Sequence, residues 1–302
     1  MRSRPFKQVD VFTATPYRGN PVAVVLDGEG LTDAQMQAFA RWTRLSETTF
    51  LLPPTEAGRA AGAQYRVRIF TPVTELPFAG HPTLGTCHAW LQAQDEKLGS
   101  DPNFLQECGV GLVTIRREGA RLAFAAPPRL RSGPLDEAEV ALIARGLRVD
   151  RSDIVRHAWC DNGPKWRAVM LGSAQQVLAL QPDAAVLAGL YIGVIGPQHA
   201  ITAATVAATP AATLAAQPTD APRFEVRAFF PDAGGMGEDP VTGSLNAALA
   251  QWLMEEGVAP ARYVVSQGSA LGCEGRVHLA RVDGKVWVGG DCVTCINGEV
   301  LL

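Results

Sequence analysis

The stretch YRVRIFTPVTELPFAGHPT (65–83) decides the fold, because it recurs in weaker form as FEVRAFFPDAGGMGEDPVT (224–242). A shift of 159 residues aligns the two copies at several identical positions, among them Val67 with Val226, Arg68 with Arg227 and Thr83 with Thr242. In each copy a strand-like alternation ends in Phe-x-Pro, and a loop of equal length leads to a helix start rich in Pro, Thr and Gly. The repeat predicts two similar lobes whose helix starts face one another across a cleft.

The residues before the first copy alternate between strand and helix signals. Thr32 followed by Gln35 is a capping-box pattern, which predicts that a helix opens there. Met36, Phe39 and Ala40 then supply the apolar stripe of a 3.6-residue period. The pattern predicts a helix that ends near Arg44 and is followed by a strand from Thr49.

A Pro-rich segment predicts the boundary between the lobes. AAPPRLRSGP (125–134) contains three prolines and a glycine, a composition typical of a connection between domains. We therefore expect an N-terminal lobe over 1–125 and a C-terminal lobe over 126–286.

Composition and charge exclude several classes of protein. The chain has 302 residues, 27 Lys and Arg against 30 Asp and Glu, and a net charge of −3, so a nucleic-acid or polybasic membrane role is not expected. The Ala- and Thr-rich tract 200–217 is interrupted by Pro210 and too short to span a bilayer. Six cysteines are too few for a disulfide scaffold, and we expect them to be reduced in a cytoplasmic protein.

The two helix starts are candidate anion sites. Free N–H groups and the positive dipole end of a helix bind carboxylates and stabilise developing negative charge. The first start contains Gly80 and His81, and the second contains Asp239, Gly243 and Ser244. Each start taken alone could be an ordinary capped helix, but their occurrence at matching positions favours a binding role.

A single acidic residue is the candidate proton carrier. Glu47 lies in the short polar segment LSET between Leu45 and the apolar run that starts at Phe50. An isolated glutamate of this kind is usually a solvated surface charge. Partial burial by its apolar neighbours would instead suit a carboxyl group that takes up and releases a proton near neutrality.

Nucleotide, metal and hydrolase motifs are not supported. The segment from Gly80 to Thr86 has phosphate-loop spacing without the required Lys, and Gly235-Met236-Gly237 has no third Gly. The five histidines form no metal motif, and no G-x-S-x-G elbow occurs. Cys292 and Cys295 have CxxC spacing, but in a strand-like run they point to opposite faces and are read as structural. We expect neither a metal nor a cofactor.

Four segments in order resemble the PhzF-like family, the phenazine-biosynthesis isomerases and their relatives. They are VDVFTATPYRGNPVAVV (9–25), LSETTF (45–50), FTPVTELPFAGHPTLG (70–85) and GEDPVTGS (237–244). The resemblance implies an α+β fold like that of diaminopimelate epimerase, with two pseudo-symmetric lobes. Each lobe is then a β-barrel-like sheet wrapped around a central helix, with the active site between the lobes. It also implies a homodimer and a closing segment, 287–302, that completes the first lobe.

The resemblance also assigns roles to residues. The family's catalytic glutamate corresponds to Glu47, its histidine to His81, and the aspartate and serine of the second helix start to Asp239 and Ser244. The flanking amides correspond to Gly80 and Gly243. Related epimerases use two cysteines at the helix starts, whereas here the nearest cysteine, Cys87, lies a turn or more into its helix, which disfavours a two-thiol mechanism.

These observations predict a cofactor-independent isomerase that moves a proton within a small carboxylated, cyclic or conjugated metabolite. Glu47 would carry the proton, Gly80, Gly243 and Ser244 would hold the carboxylate, and His81 and Asp239 would assist. Two alternatives stay open: a non-catalytic ligand-binding or interaction protein that keeps the cleft, and an amino-acid epimerase with carboxylates in place of thiols. The sequence does not identify the substrate.

Overall fold

The computed structural model describes residues 1–94, 103–199, 221–232 and 234–302. Two units are distinguished within them: unit 1 comprises Met1–Ala125 with Gly289–Leu302, and unit 2 comprises Ala126–Val288. The tract 200–217, which the sequence indicates is too short for a membrane span, lies outside the described residues. No helix in the part of the chain that the structure describes has the length and apolar character needed to cross a bilayer.

Unit 1 contains three helices and nine strands among its described residues. The helices are α1 (Asp33–Thr43), α2 (Glu56–Ala60) and α3 (Gly80–Ala93). The strands are β1 (Ser3–Val11), β2 (Asn20–Val25), β3 (Glu47–Leu52), β4 (Tyr65–Phe70), β5 (Glu75–Leu76), β6 (Asn103–Cys108), β7 (Gly111–Glu118), β8 (Arg121–Ala125) and, from the end of the chain, β17 (Cys292–Leu301).

Unit 2 contains the remaining elements. Its helices are α4 (Glu137–Leu147), α5 (Ala174–Ala179) and α6 (Gly243–Glu255), with short 3₁₀ turns at Arg151–Asp153 and Ser269–Leu271. Its strands are β9 (Ile154–Trp159), β10 (Arg167–Leu171), β11 (Ile192–Pro197), β12 (Pro222–Phe230), β13 (Gly237–Asp239), β14 (Arg262–Gln267) and β15 (Gly275–Val282), followed by β16 (Lys285–Gly290).

The sheet of unit 1 has the strand order β17–β1–β2–β3–β4–β6–β7–β8. The β2–β3 and β4–β6 pairs are parallel, and the other pairs are antiparallel. Parallel neighbours need a crossover connection, which α1 supplies for the first pair and α3 for the second. The short β5 pairs with the end of β4.

Helix α3 lies inside this sheet, because it packs against β1, β2, β3, β8 and β17. It is buried on nearly all sides, as expected of a helix surrounded by strands. Gly85 allows the close approach: a Cβ there would collide with the side chain of Val22 on β2. Helix α1 packs on the outer side of the sheet through Met36, Phe39 and Ala40. The capping box predicted at Thr32 is present.

The pairing pattern of unit 1 recurs in unit 2, which confirms the predicted internal repeat. β10 and β11 are parallel and joined through α5, and β12 and β14 are parallel and joined through α6. β11 pairs antiparallel with β12, and β13 with the end of β12. Helix α6 is buried like α3 and packs against β15. The fold is therefore α+β, as predicted, and each unit has a buried helix that packs against its strands.

Two side-chain arrangements are also repeated inside the units. Arg68 on β4 forms a bidentate ion pair with Glu75 on β5, and Arg227 on β12 forms one with Glu238 on β13. A glutamine on the next parallel strand binds the threonine hydroxyl near each helix start, Gln106 to Thr83 at 3.1 Å and Gln267 to Thr242 at 2.9 Å. These contacts are thus repeated as well: Arg68 and Thr83 are offset by 159 residues from Arg227 and Thr242, and their partners Glu75 and Gln106 by 163 and 161 residues from Glu238 and Gln267.

Candidate active site

Glu47 is fixed at the beginning of β3. Helix α1 ends at Arg44 in left-handed backbone (φ 57°), which turns the chain toward the sheet. We expected Glu47 in a loop before a strand from Thr49, but it is itself the first strand residue and pairs with Val22 of β2. The strand extends further because β2 offers a parallel partner at that position. The Glu47 side chain is only 14% exposed, so the sheet buries the carboxyl group.

His81 lies against this carboxyl group. It is the second residue of α3, and its side chain is 6% exposed. Its Nε2 atom is 3.3 Å from Oε2 of Glu47. The contact arises because α3 packs against β3 inside the unit 1 sheet. The structure therefore brings together two of the residues that the sequence singled out.

The protonation state of His81 follows from its surroundings. Burial lowers the pKa of His81 to about 3, although a hydrogen bond to the Pro21 carbonyl partly opposes the shift. The imidazole is therefore neutral at pH 7 and has one N–H, which donates to Pro21. Its Nε2 then presents a lone pair toward Glu47. A hydrogen bond across the 3.3 Å contact requires the proton to be on Glu47, so neutral His81 is suited to stabilise the protonated carboxyl group.

The buried imidazole predicts a loss of stability in acid. An unfolded histidine binds a proton near pH 6.5, whereas folded His81 does so only near pH 3. The unfolded state therefore holds more protons between these values, and this residue lowers the free energy of unfolding by up to about 1.4 kcal/mol for each pH unit below 6.5. Urea unfolding at pH 7 and pH 5 should show a smaller decrease for His81→Asn than for the wild type. Equal decreases would contradict the assignment, and His199→Asn, at an exposed histidine, is the control.

The N-terminus of α3 presents backbone donors next to His81. Its N-cap residue, Ala79, makes no side-chain capping bond. Pro82 occupies the third helical position and has no N–H group. The first-turn donors are therefore the amides of Gly80 and His81. Gly80 is thus at the start of the helix, as the sequence predicted.

In unit 2, Asp239 lies before the helix and not in it. The 159-residue shift matches Asp239 with Gly80, but Asp239 is the last residue of β13 and α6 starts at Gly243. Asp239 pairs with Ala228 on β12, and Pro240 has no N–H with which to continue the ladder. Thr242 then serves as the N-cap residue. The helix start that we expected at Asp239 is thus displaced toward the C-terminus.

A hydrogen-bond network organises this second helix start. The Thr242 hydroxyl donates to Oδ2 of Asp239 at 2.7 Å and accepts from Nε2 of Gln267 at 2.9 Å. Because it is engaged in this way, it makes no capping bond to α6. The amides of Gly243 and Ser244 in the first turn therefore receive no cap from the Thr242 side chain. Asp239 helps to hold that arrangement.

Ser244 is held by two residues that the sequence analysis missed. Nε1 of Trp166 donates to Oγ of Ser244 at 3.1 Å, and Nδ2 of Asn162 donates to the Ser244 carbonyl at 2.8 Å. Since Oγ already accepts from the indole, the serine hydroxyl is suited to donate its proton to a further acceptor. The signal that could have identified this loop is the turn sequence DNGPKW (161–166) between two strands.

The thiols are not placed for catalysis at either helix start. Cys87 is the eighth residue of α3 and is buried, and burial raises the pKa of its thiol to about 12. Burial raises the pKa of Cys160 to about 12 as well. Nucleophilic or basic cysteine chemistry needs the thiolate. Within the described residues, no group of three or more His, Cys, Asp or Glu side chains is placed to hold a metal ion.

Comparison with known proteins identifies the family. The family model described as phenazine biosynthesis-like protein matches residues 9–298. The chain belongs to this family. Among its relatives is the trans-2,3-dihydro-3-hydroxyanthranilate isomerase of Pseudomonas aeruginosa, which is 34% identical over 282 residues, 91% of this chain and 89% of that protein. With several such isomerases among its relatives, the family member described here is an isomerase.

Two further relatives show how far the similarity extends. Antisense-enhancing sequence 1 of Schizosaccharomyces pombe is 33% identical over 321 residues and is matched over 99% of both chains. The crystal structure of the Bacillus anthracis phenazine biosynthesis protein of the PhzF family has a TM-score of 0.77 to this isomerase. That likeness covers 100% of both chains at 22% identity, and it shows the fold.

Proposed function

We propose that this isomerase moves a proton within a small carboxylated substrate that is cyclic or conjugated, without a cofactor, and that Glu47 carries the proton. The contact between Glu47 and His81 supports the proposal most strongly, because it joins a mostly buried carboxyl group to a neutral hydrogen-bond acceptor. General acid–base catalysis by a positioned side chain needs such an arrangement.

The proposed reaction conserves atoms and electrons. The Glu47 carboxylate removes a proton from an acidic carbon, and the electron pair of the broken C–H bond is delocalised over the conjugated system. While Glu47 holds the proton, Nε2 of His81 accepts a hydrogen bond from it. Glu47 then returns the proton to another carbon of the same system, so that one C–H bond replaces another and the double bonds shift.

The helix starts would bind the substrate carboxylate and assist the reaction. We assign the amides of Gly80 and Gly243 and the hydroxyl of Ser244 to this role, because amides at a helix N-terminus favour anions. Asp239 would orient the substrate and assist proton delivery, held by its hydrogen bond with Thr242. That a single substrate uses the residues of both units is part of the proposal.

Solvent exchange tests the proposed function. The first substrate to assay is trans-2,3-dihydro-3-hydroxyanthranilate, because a relative at 34% identity is named for its isomerisation. Together with other small conjugated carboxylates, it would be incubated with the isomerase in D2O. Mass spectrometry is expected to show a rearranged product of the same composition with up to one deuterium incorporated. A substrate that rearranges without any dependence on Glu47 would contradict the proposal.

Substitutions at Ser244 should weaken binding of a carboxylated substrate. A hydrogen bond to a charged group contributes about 1.5–3 kcal/mol, so Ser244→Ala should raise KM by about 10- to 100-fold. Trp166→Phe keeps an aromatic ring, although a smaller one, and removes the N–H that donates to Ser244, and we expect a smaller increase in KM. Steady-state kinetics would show the change mainly in KM. An unchanged KM in Ser244→Ala would contradict the binding role, and Ser269→Ala, at an exposed serine, is the control.

The homodimer implied by the family resemblance is a separate proposal. Sedimentation equilibrium of the purified isomerase would measure its mass, with twice the chain mass of 32.1 kDa as the expected result. A monomeric mass at all concentrations would contradict it.

A further inference from the structure

A cavity of about 390 Å³ opens on the outer side of the unit 1 sheet. Its lining includes Arg66 and Arg68 of β4, and Met36 of α1. Successive residues of a strand point to opposite faces. Tyr65 lies close to Cys87 of the enclosed helix, so Arg66 and Arg68 point outward, to the side where α1 packs. The volume is within the range of small-molecule sites.

The cavity is separate from the proposed proton-transfer site. It is bordered by Leu52 at the end of β3, whereas Glu47 is at the beginning of the same strand. Five residues of extended strand span about 17 Å. A ligand in this cavity would therefore not contact Glu47.

Most of the cavity wall is held firmly by hydrogen bonds. The buried Arg4 donates to the carbonyls of Asp27 at 2.6 Å and Glu29 at 3.0 Å, which fixes the loop before α1. On the other side, the carboxylate of Glu107 accepts from the N–H and the hydroxyl of Thr55 at 2.8 and 2.7 Å. These contacts give the cavity a defined shape before any ligand binds.

The two arginines of the cavity differ in their partners. Arg68 is fully engaged, since it donates to Asp33 at 2.6 Å and to both oxygens of Glu75. Arg66 forms no ion pair with a described residue, and its Nε atom is buried without a hydrogen-bond partner among them. A buried guanidinium nitrogen without an acceptor is unfavourable. Arg66 is thus the charged group of this wall that is left to bind an anion.

In unit 2, the position equivalent to that of Arg66 is occupied by a residue of opposite charge. The residue equivalent to Arg66 is Glu225, which is only 2% exposed. Its carboxyl group interacts with the hydroxyls of Ser266 and Ser269. The second unit therefore buries a carboxyl group of its own at the place where unit 1 presents a guanidinium.

We propose that the outer cavity of unit 1 binds a small monocarboxylate with an apolar body, such as an aromatic acid, whose carboxylate pairs with Arg66. Arg–carboxylate pairs are commonly bidentate and strong. The apolar part of the ligand would contact Leu31, Met36 and the two prolines Pro53 and Pro54.

The charges around the cavity select against multiply charged anions. Glu29 also lines the cavity, and Asp33 and Glu75 are paired with Arg68, so three acidic residues lie in or beside a cavity lined by two arginines. Phosphate would be repelled by this excess of negative charge, whereas a single carboxylate can pair with Arg66 and place the rest of its body on the apolar wall.

The test uses the Met36 methyl group as a local reporter. Met36 lines the cavity and is one of five methionines, so its signal in the protein labelled with [¹³C-methyl]methionine can be assigned with Met36→Leu. Titration with benzoate is expected to shift the Met36 signal saturably. Arg66→Gln should weaken this binding by at least about tenfold, and Arg66→Lys, which keeps the charge but not the fork, by less. Arg145→Gln, at an exposed arginine on α4, is the control and should bind like the wild type.

Several results would overturn the proposal. They are the absence of a saturable Met36 shift, an equal benzoate affinity in Arg66→Gln, and an equal response to inorganic phosphate. Loss of the Met36 shift in Ser244→Ala would show that benzoate acts through the proposed substrate site. Retention of the shift in that variant and in Glu47→Gln would support a separate site, whether or not the proposed isomerisation is correct.

Discussion

Replacing Glu47 by glutamine is expected to lower kcat of the proposed isomerisation by about 10²–10⁴-fold, because a positioned general acid/base contributes that much. Glutamine has nearly the same size, but it cannot accept a proton from carbon at neutral pH. It keeps a group that can donate to Nε2 of His81, so the 3.3 Å contact should survive. KM is therefore expected to change little while kcat falls.

Deuterium incorporation measures this loss directly. Substrate incubated with Glu47→Gln in D2O should exchange as slowly as it rearranges, since both processes need the same proton transfer. Glu56→Gln, at an exposed glutamate on α2, serves as the matched control and should keep wild-type rates. Near-normal exchange in a folded Glu47→Gln protein would remove Glu47 from the mechanism.

His81 should act differently from Glu47. It is neutral at neutral pH, and its proposed role is to accept a hydrogen bond from the protonated carboxyl group. His81→Asn would retain the Glu47 carboxylate and lower kcat less than Glu47→Gln does. The comparison separates the group that carries the proton from the group that stabilises its carrier.

The largest effect on stability is expected from Arg227→Ala. Arg227 donates to both oxygens of Glu238 and to the carbonyls of Val177 and Leu180 at the end of α5. The side chains of the pair are 8% and 12% exposed. Removal of the arginine leaves a mostly buried carboxylate without its counter-charge, which destabilises a protein by about 3–5 kcal/mol.

The internal repeat supplies a matched control for this variant. Arg68→Ala removes the equivalent ion pair in unit 1, but its partners Asp33 and Glu75 are 82% and 41% exposed. Water can solvate these carboxylates, so we expect a loss of only about 1 kcal/mol or less. Urea unfolding of both variants, with hydrogen exchange of β12 and β13 as a local measure, would test the difference. Equal decreases in the free energy of unfolding would show that burial of the ion pair does not determine its contribution to stability.

The sequence predicted the features of this fold that depend on nearby residues. The Thr32 capping box and the apolar stripe of α1 involve groups within one or two helical turns, and the structure has both. The alternating pattern of 65–70 corresponds to β4 over the same residues. The repeat was visible because duplicated strand and helix starts keep their spacing even where most side chains differ.

The features that the sequence did not predict depend on contacts between residues that are far apart along the chain. Glu47 belongs to β3 and not to a loop, because β2 pairs with it across the intervening helix. Asp239 was read as part of a helix start, whereas its pairing with Ala228 makes it a strand residue. The contact of Trp166 with Ser244 joins residues 78 positions apart, and no local pattern could have indicated it. The pairing of substrate with these side chains stays a prediction.

The return of β17 to unit 1 has a consequence for synthesis on the ribosome. β17 pairs with β1 and packs against α3, where Thr294 contacts His88 and Gln92. These contacts cannot form until Cys292–Leu301 has emerged, whereas every residue of unit 2 precedes Gly289. The nascent polypeptide must therefore leave this edge of β1 without its β17 partner until unit 2 has been synthesised. Most of unit 1 is thus synthesised before unit 2, but the sheet of unit 1 is completed after it.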